Sequence, residues 1–365
     1  MAGPAGGAPG AGAVMLRVSL RHRAPDLEVD FQAPGGITAL FGPSGAGKTS
    51  VLRAVAGLLT PEQGRIEAGD LLFDHSARVN LPPSRRRIGY VFQEPRLFPH
   101  LSVAQNLRYG SRFAAPGTVP DAARLIELLG LGPLLARGIA GLSGGEAQRV
   151  AIGRAILSGA RLLALDEPMA ALDAPRRAEI MTYLEALRDE TGLPMLLVSH
   201  ALEEVIRLAS TLVLMEGGRV RRAGPLADLL ADPALVPAFG VREAGALLHV
   251  VVTGADPDGL TRVQAKAGPL FLPHPAAMGA ALRLRVRAAD VTLAVTRPEG
   301  LSALNILPAT VTRLLPDAEG PGGTVLLDCA GAALMARVTG RSVAALGLAP
   351  GRPVWAVIKA LSVAA

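Results

Sequence analysis

The segment that most constrains this chain is a glycine-rich turn between a strand-like run and a helix-like run. The turn reads GPSGAGKT, from Gly42 to Thr49, and fits the pattern G-x-x-x-x-G-K-[ST] at every position. The apolar run ITALF precedes it, and SVLRAVAGLL follows it. Such a turn points backbone N–H groups at phosphate oxygens, and the N-terminus of the next helix adds its positive dipole. The segment therefore predicts a nucleoside triphosphate site, with Lys48 at the β- and γ-phosphates and Thr49 on Mg²⁺.

Around this turn, residues 15–240 alternate strand-like and helix-like patterns. Short apolar runs predict buried parallel strands at Ile37–Phe41, Ile88–Phe92, Leu162–Leu165, Met195–Val198 and Leu212–Met215. Helices are predicted between them at Thr49–Leu59, Asp121–Leu129, Gly145–Leu157, Pro175–Thr191 and Leu202–Leu208. The alternation predicts an α/β domain with a mostly parallel sheet.

Two carboxylates follow one of these strands directly. The run LLAL is followed by Asp166, Glu167 and Pro168, and in open α/β sheets ligands lie at the carboxyl ends of the strands. Asp166 is placed to hold Mg²⁺ through water, and Glu167 to polarise the attacking water, because phosphoryl transfer needs one carboxylate neutralised by metal and one free to accept a proton. By itself Asp-Glu-Pro also fits a helix-capping turn, but the glycine-rich turn upstream favours the catalytic interpretation.

A third turn, Leu142-Ser-Gly-Gly-Glu146, opens a helix and is a second potential anion cradle, although a plain helix cap would also explain it. Together, the three segments resemble the ATP-binding subunits of ABC transporters, whose signature is LSGGQ; Glu146 stands in place of Gln. The resemblance implies a P-loop NTPase (ABC ATPase) domain with a helical signature subdomain. It also implies an ATP hydrolase and translocase that uses ATP and Mg²⁺.

The resemblance implies roles for single residues. Gln93 matches the Q-loop glutamine, Asp173 the D-loop aspartate and His200 the switch histidine at the γ-phosphate. The implied catalytic residues are Glu167, His200 and Gln93, and the implied metal ligands are Thr49, Gln93 and Asp166. The implied nucleotide contacts are Gly42, Pro43, Ser44, Gly45, Ala46, Gly47, Lys48, Thr49, Ser50, Ser143, Gly144, Gly145 and Asp173. The family's adenine-stacking aromatic is missing near Leu20–Arg23, which leaves Arg21 or His22 for that role.

The resemblance also implies partners. The signature of one copy closes over the phosphate loop of a second copy, so that two ATP molecules lie in a symmetric dimer. No apolar run reaches the ~18 residues of a membrane-spanning helix. The resemblance therefore implies two membrane permease subunits, which face the segment Pro95–Leu107, and indirectly a periplasmic molybdate-binding protein. The implied location is peripheral, on the cytoplasmic face of the inner membrane.

The pattern changes towards the carboxyl end of the chain. Short alternating runs such as HVVVTG and VWAVIKA predict small strands in a barrel-like all-β region, with one short helix at Arg341–Leu346. The predicted organisation is a disordered Gly/Ala/Pro tail (1–14, with Met15 as an alternative start), an ABC ATPase domain (15–240), a β-rich connecting module (241–298) and a last domain (299–365).

This last domain resembles a molbindin-type (Mop/TOBE) domain, a small OB-like barrel that binds molybdate or tungstate. The resemblance is carried by SALNILPATV from Ser302, by VTGRS and by VWAVIKA. It implies an oxyanion site at Ser302, Thr339, Ser342 and Lys359, since hydroxyls and a cation suit a tetrahedral dianion. Leu304 stands where the family often has Arg, which removes a cationic ligand.

From Met15 onward the chain resembles the ATP-binding subunits of molybdate importers (ModC type). The expectation is therefore uptake of molybdate, or of tungstate, with molybdate also a regulatory ligand of the dimer. Two alternatives remain open: an importer of sulfate or ferric iron, and a soluble oxyanion-binding or storage protein, against which the intact catalytic residues speak.

Charge and composition exclude other classes. The net charge of +6 is scattered and aromatic residues make up 3%, so no nucleic-acid partner is expected. The densest basic run, Arg85–Arg87, fits either a solvated surface or contact with an anion. The single cysteine, Cys329, excludes a disulfide framework.

Overall fold

The structure, a computed structural model, describes residues 14–114, 117–239, 245–316, 321–359 and 361–364. Contacts within the chain divide it into two compact units, Met1–Pro225 and Leu226–Ala365. The predicted domain limits at residues 240 and 298 stay predictions. The predicted disordered tail lies outside the described residues except for Val14.

In its described part, the first unit contains one large sheet and the helices that cover it. The strands are β1 (Val14–Arg23), β2 (Asp26–Pro34), β3 (Ile37–Phe41), β4 (Gln63–Ala68), β5 (Asp70–Asp74), β6 (Val79–Asn80), β7 (Ile88–Val91), β8 (Leu162–Asp166), β9 (Met195–Val198), β10 (Thr211–Glu216) and β11 (Arg219–Pro225). The helices are α1 (Lys48–Ala56), α2 (Val103–Tyr109), α3 (Ala122–Leu128), α4 (Gly144–Leu157), α5 (Ala174–Thr191) and α6 (Leu202–Leu208).

The sheet has the order β6-β5-β4-β1-β2-β11-β10-β3-β9-β8-β7. Strands β10, β3, β9, β8 and β7 run parallel to one another. Strands β3, β8 and β9 are buried along their whole length, as expected for strands covered on both faces. The predicted mostly parallel sheet is confirmed for this half and is wrong for the other half, where β1, β2, β4, β5 and β6 pair antiparallel.

The predicted helices and parallel strands are present within a few residues of their predicted ends. The clearest difference is at α1, which was predicted to reach Leu59 but ends at Ala56. Gly57 follows it with φ +80°, and its N–H bonds to the carbonyls of Ala54 and Arg53. Only glycine takes this left-handed conformation without a steric cost, so the helix stops there.

In the basic run Arg85–Arg87, Arg85 is exposed, as the solvated-surface interpretation predicts, but Arg86 fits neither interpretation made from the sequence. Arg86 is 4% exposed, and its guanidinium donates to the carbonyl oxygens of Ala54 and Val55, at 2.7 and 2.9 Å. Burial lowers the pKa of Arg86. The side chain therefore closes the carboxyl end of α1, where a cation also meets the negative end of the helix dipole.

The second unit is mainly β-structure, as predicted. Its helices are α7 (Leu226–Leu230), α8 (Val236–Phe239) and α9 (Gly340–Leu346). Its strands are β12 (Gly245–Ala255), β13 (Thr261–Ala265), β14 (Gly268–Leu272), β15 (Ala281–Arg287), β16 (Val291–Ala294), β17 (Asn305–Pro316), β18 (Gly322–Cys329), β19 (Ala332–Thr339), β20 (Pro353–Ile358) and β21 (Ser362–Ala364).

These strands form two sheets, β14-β13-β12-β15-β21 and β16-β20-β17-β18-β19. The two sheets enclose one apolar core, to which Leu248, Val286, Val311 and Ala356 belong. Strand β16 comes from the sequence before residue 298 and β21 from the sequence after it. Each sheet therefore contains one strand from the other side of that predicted boundary.

Candidate nucleotide site

The parallel strands bring several predicted motifs to one edge of the sheet. The glycine-rich turn follows β3, Glu167 follows β8, His200 lies two residues after β9, and Gln93 two residues after β7. Because β3, β9, β8 and β7 are parallel neighbours, their carboxyl ends share one edge. The sheet thus groups residues that lie up to 158 positions apart in the chain, as Gly42 and His200 do.

Close backbone contacts fix the shape of the turn. Gly42 has φ +151°, and a Cβ there would collide with the carbonyl oxygen of Met215. Gly47 has φ +91°, and a Cβ there would collide with the side chain of Leu27. Gly47 is also the N-cap of α1, whose first turn has no side-chain cap in the described structure. The helix N-terminus therefore keeps backbone donors for an anionic ligand.

Lys48 lies inside this turn. Its ammonium group donates to the carbonyl oxygens of Gly42 and Pro43, at 2.8 and 2.9 Å. The residue is 5% exposed, and burial lowers its pKa. A buried cation held by two neutral carbonyls is suited to binding phosphate oxygens, since they offer it charge-assisted hydrogen bonds.

The turn borders a cavity of about 290 Å³. It is lined by Pro25, Ser44, Gly45, Ala46, Gly47, Lys48, Thr49, Ser50 and Glu167. The cavity thus joins the predicted phosphate contacts to the predicted catalytic base. Arg21 and His22, the candidates for stacking on adenine, line a different cavity. Pro25, in the hairpin between β1 and β2, lies in the phosphate cavity instead, and no sequence motif pointed to it.

Asp166 is 6% exposed and accepts two short hydrogen bonds. Thr49 Oγ1 donates to Oδ1 at 2.7 Å, and the hydroxyl of Tyr90 donates to Oδ2 at 2.7 Å. Burial and the Asp166 carboxylate raise the pKa of Tyr90, so the phenol stays protonated. A hydroxyl and a carboxylate are hard oxygen donors of the kind Mg²⁺ prefers. Thr49 and Asp166 therefore fit the predicted metal site.

Glu167 and His200 meet at the end of β8. His200 Nδ1 lies 3.4 Å from Glu167 Oε2, with the imidazole 58% exposed and the carboxylate 24% exposed. Glu167 has φ +46°, in the left-handed region, and its N–H donates to the carbonyl of Val198. Strain of this kind is held by surrounding structure and is concentrated at functional sites.

A second polar group lies directly behind this pair. Glu204 is 5% exposed and accepts from Ser199 Oγ at 2.6 Å. Arg177 Nε lies 3.5 Å from Glu204, and the Arg177 Nη2 donates to the carbonyl of Leu172. Burial raises the pKa of Glu204. These side chains, with Glu167 and His200, enclose a cavity of about 40 Å³.

Comparison with known proteins agrees with this arrangement. The ABC transporter family model matches residues 26–170, and the TOBE domain model matches residues 301–365. The molybdenum import ATP-binding protein of Rhizobium meliloti is 50% identical over 95% of this chain and 99% of its own length. That of Mesorhizobium japonicum is 48% identical over 95% of both chains. The chain belongs to the ATP-binding subunits of ABC transporters, in the molybdenum import family.

A solved structure supports the fold of the first unit. The cbiO1 subunit from Clostridium perfringens, described as part of the ABC transporter complex cbiONQ, matches with 26% identity and a TM-score of 0.51. The match covers 63% of this chain and 95% of that one. The predicted fold class, a P-loop ABC ATPase followed by an OB-like TOBE region, is confirmed, as is the predicted class of enzyme.

Two motifs of the ABC family lie outside the phosphate cavity of this chain. Ser143 caps α4, accepting from the N–H of Glu146 at 3.3 Å, while the Glu146 carboxylate accepts from the N–H of Ser143 at 2.7 Å. Gly144 packs towards the side chain of Leu172 and Gly145 towards that of Arg176. Signature turn and D-loop are therefore neighbours. The Glu146 carboxylate completes a capping box, which Gln also forms at this position, as Gln105 does with Ser102 at the start of α2.

The remaining predicted residues of the ABC domain are exposed. Asp173 caps α5, accepting from the N–H of Arg176 at 3.0 Å. Gln93 is exposed at the end of β7. Beside it the rings of Tyr90 and Phe92 lie 4.4 Å apart, and the guanidinium of Arg96 lies 4.2 Å above Phe92.

The predicted oxyanion residues fall into two groups within the TOBE region. Thr339 caps α9, and its Oγ1 lies 2.9 Å from Ser342 Oγ. Ser302 and Lys359 are exposed and flank the strand pair in which Asn305 faces Ile358. Strand β17 lies between the two groups. It begins at Asn305, next to Ser302 and Lys359, and its other end pairs with β18, in which Gly322 faces Thr339 of β19.

Proposed function

We propose that this chain is the ATP-hydrolysing subunit of an importer that takes up molybdate or tungstate. The observation that carries the proposal is the meeting of Lys48, Thr49, Asp166, Glu167 and His200 at one edge of the sheet. The importer assignment and its substrate are supported by relatives named as molybdenum import proteins that match 95% of the chain.

The residues of the turn bind the triphosphate. Backbone N–H groups from Ser44 to Ser50 surround the β- and γ-phosphates, and Lys48 exchanges its two carbonyl partners for phosphate oxygens. Thr49 and Asp166 would hold Mg²⁺, and Gln93 would be a further ligand. The ion, when bound, neutralises charge on the transferred phosphoryl group.

Glu167 accepts the proton of the attacking water. Its carboxylate is partly buried at the wall of the cavity beside the glycine-rich turn, and His200 lies 3.4 Å from it, lining a second, smaller cavity that Glu167 also borders. His200 then contacts the γ-phosphate and orients the base. A positioned carboxylate base contributes about 10²- to 10⁴-fold to the rate.

The second half of the ATP site comes from a second copy. Ser143, Gly144, Gly145 and Asp173 belong to neighbouring turns that do not line the phosphate cavity of their own chain. A symmetric dimer places these turns over the partner's γ-phosphate, so that two ATP molecules are enclosed. Hydrolysis reopens the dimer, and the membrane subunits follow that motion.

The remaining partners follow from the importer assignment. No helix in the described ranges is long and apolar enough to cross a membrane. The importer assignment implies two permease subunits that supply the pore and a periplasmic molybdate-binding protein that delivers the anion to them. The chain sits on the cytoplasmic face of the inner membrane, with the segment Pro95–Leu107 towards the permease.

The TOBE region binds the oxyanion as a regulatory ligand. Ser302 and Lys359 lie at one end of β17, and Thr339 and Ser342 lie beyond its other end. A complete site then needs groups from two copies of the domain. Molybdate bound there changes the energetics of the nucleotide dimer, and nucleotide changes molybdate affinity by the same factor.

The test is the chain reconstituted with its permease and binding protein in vesicles. Wild-type protein is expected to hydrolyse MgATP and to accumulate molybdate, and excess tungstate, but not sulfate or ferric iron, is expected to compete. Glu167→Gln is expected to lose at least about a hundredfold in both rates. Glu190→Gln, an exposed carboxylate of α5, is the matched control.

Three results would contradict the proposal. Full turnover in Glu167→Gln refutes the role of the base. Competition by sulfate or ferric iron in place of tungstate points to the alternative importers. Molybdate binding by a protein that hydrolyses no ATP with its permease points to a soluble storage protein.

A further inference from the structure

The carboxylate of Asp166 is held on both oxygens by different parts of the fold. Thr49, at the start of α1, donates to Oδ1, and Tyr90, on β7, donates to Oδ2, each at 2.7 Å. Tyr90 reaches the carboxylate because it stands in register with Ala164, two residues before Asp166 on the neighbouring parallel strand. Residues two apart on a strand share a face, so the Tyr90 ring and Asp166 lie on the same side of the sheet.

Binding of MgATP is expected to break the hydrogen bond from Thr49 to Asp166 but to keep the one from Tyr90. The proposed function assigns Thr49 to the metal, so its hydroxyl turns away from Oδ1. The hydroxyl of Tyr90 has no such assignment and stays on Oδ2. Without this bond the carboxylate would turn about its last torsion, which has a broad, roughly two-fold profile for Asp. A bond to one oxygen therefore fixes the plane of the carboxylate and the direction in which the other oxygen points.

We propose that Tyr90 is a positioning residue for Asp166: by holding Oδ2 it presents Oδ1 to the Mg²⁺ of the bound nucleotide. This inference rests on the proposed function for the identity of the ion and the ligand. It adds a residue to which none of the motifs found in the sequence assigns a role.

The Tyr90 ring also connects the carboxylate to the segment after β7. Phe92 packs against Tyr90 with ring centroids 4.4 Å apart, and Arg96 lies over Phe92 at 4.2 Å. In the sequence, Gln93 lies between Phe92 and Arg96. This segment leads directly into Pro95–Leu107, which the proposed function places towards the permease, so a shift there reaches Asp166 through contacting groups.

The test compares two tyrosine variants of the full-length chain. Tyr90→Phe removes one oxygen and keeps the ring. Tyr183→Phe removes the same atom from α5, where the hydroxyl bonds to Arg149 and Glu179 away from the cavity. Mn²⁺ replaces Mg²⁺, and its affinity with ADP present is measured by electron paramagnetic resonance. Binding of a fluorescent ATP analogue in EDTA reports nucleotide affinity without metal.

Tyr90→Phe is expected to weaken Mn²⁺ binding about tenfold, the size of one charge-assisted hydrogen bond. Metal-free nucleotide binding is expected to stay within about twofold, and Tyr183→Phe to match wild type in both assays. Phe92→Leu is a second variant. It keeps an apolar side chain but loses the ring contact, and we expect a smaller loss of Mn²⁺ affinity in the same direction.

Wild-type Mn²⁺ affinity in Tyr90→Phe would overturn the inference and leave the proposed function intact. An equal loss of metal-dependent and metal-free binding would also overturn it, since that indicates general distortion of the cavity. Wild-type protein that binds neither nucleotide nor Mn²⁺ would instead overturn the proposed function.

Discussion

The buried guanidinium of Arg86 gives the sharpest prediction about the stability of the first unit. It makes four hydrogen bonds, to the carbonyls of Leu81, Ala54 and Val55 and to the side chain of Asn80, at 2.7 to 2.9 Å. Arg86→Met keeps the length of the stem and removes every one of these donors. Two of the carbonyls end α1, the helix whose other end forms the phosphate-binding turn.

The expected cost follows from these bonds. A net contribution of about 1 kcal/mol per hydrogen bond gives about 4 kcal/mol. This figure already includes the desolvation of donor and acceptors, so we expect a net loss of about 4 kcal/mol. For a unit of this size, that corresponds to a fall in melting temperature of about 10 °C.

The assay is thermal and urea unfolding of the full chain, followed by circular dichroism. Arg85→Met is the matched control: it removes the neighbouring arginine, which is exposed, and we expect a change within about 0.5 kcal/mol. Arg86→Lys is expected to fall between the two, since an ammonium reaches fewer acceptors than the guanidinium fork. Equal stability of Arg86→Met and Arg85→Met would refute the reasoning.

Three further outcomes are expected. Burial raises the pKa of Glu204, so the protonated side chain stabilises the folded wild-type protein below the usual pKa of 4.5, and this contribution is lost as the pH rises above the raised pKa. Glu204→Gln should therefore gain stability relative to wild type as the pH rises, and urea unfolding at pH 5 and pH 8 checks this. The hydrogen bond from the Ser143 N–H lowers the pKa of Glu146 and keeps its carboxylate ionised. Glu146→Gln should keep the cap on Ser143 but remove this negative charge, and so lower the ATP concentration that drives dimer formation; sedimentation with nonhydrolysed nucleotide checks this. Leu304→Arg, at a position 56% exposed, should tighten molybdate binding about tenfold by adding a cation near Lys359, measured by calorimetry on the full chain.

The edge of the sheet that carries the candidate nucleotide site was predictable because its signals are local. Each motif lies directly after an apolar run, and parallel strands bring such positions to one edge whatever their separation in the chain. The apolar runs before Gly42, Asp166 and Ser199 were therefore sufficient to predict that the motifs following them meet at this edge. Strands β4 and β5 of the antiparallel half were missed because they are mixed in polarity and only partly buried, so they show no clear alternation. Strand β2 does alternate exposed and buried residues, and this signal was present in the sequence but was not interpreted as a strand.

The residues that sequence reasoning missed act over long range. Nothing in the run of three arginines says that Arg86 alone is buried, since its acceptors at Ala54 and Val55 lie about thirty residues earlier. Tyr90 was seen only as part of an apolar strand, and its partner Asp166 is 76 residues away. Such contacts depend on side-chain direction across neighbouring strands, which composition and periodicity do not encode.

Both candidate sites are divided in the same way, and this favours the dimer over any single-chain mechanism. In the first unit, Lys48 and Glu167 line the phosphate cavity while Ser143 belongs to a turn packed on the D-loop instead. In the second unit, Lys359 and Thr339 lie at opposite ends of strand β17. Strand β17 has twelve residues, and although a register shift between Val311 and Arg313 bends it, its two ends pair with different parts of the sheet. We therefore expect a tetrahedral anion that needs both groups to take them from two copies. A monomer should therefore bind ATP through its phosphate loop but bind molybdate weakly.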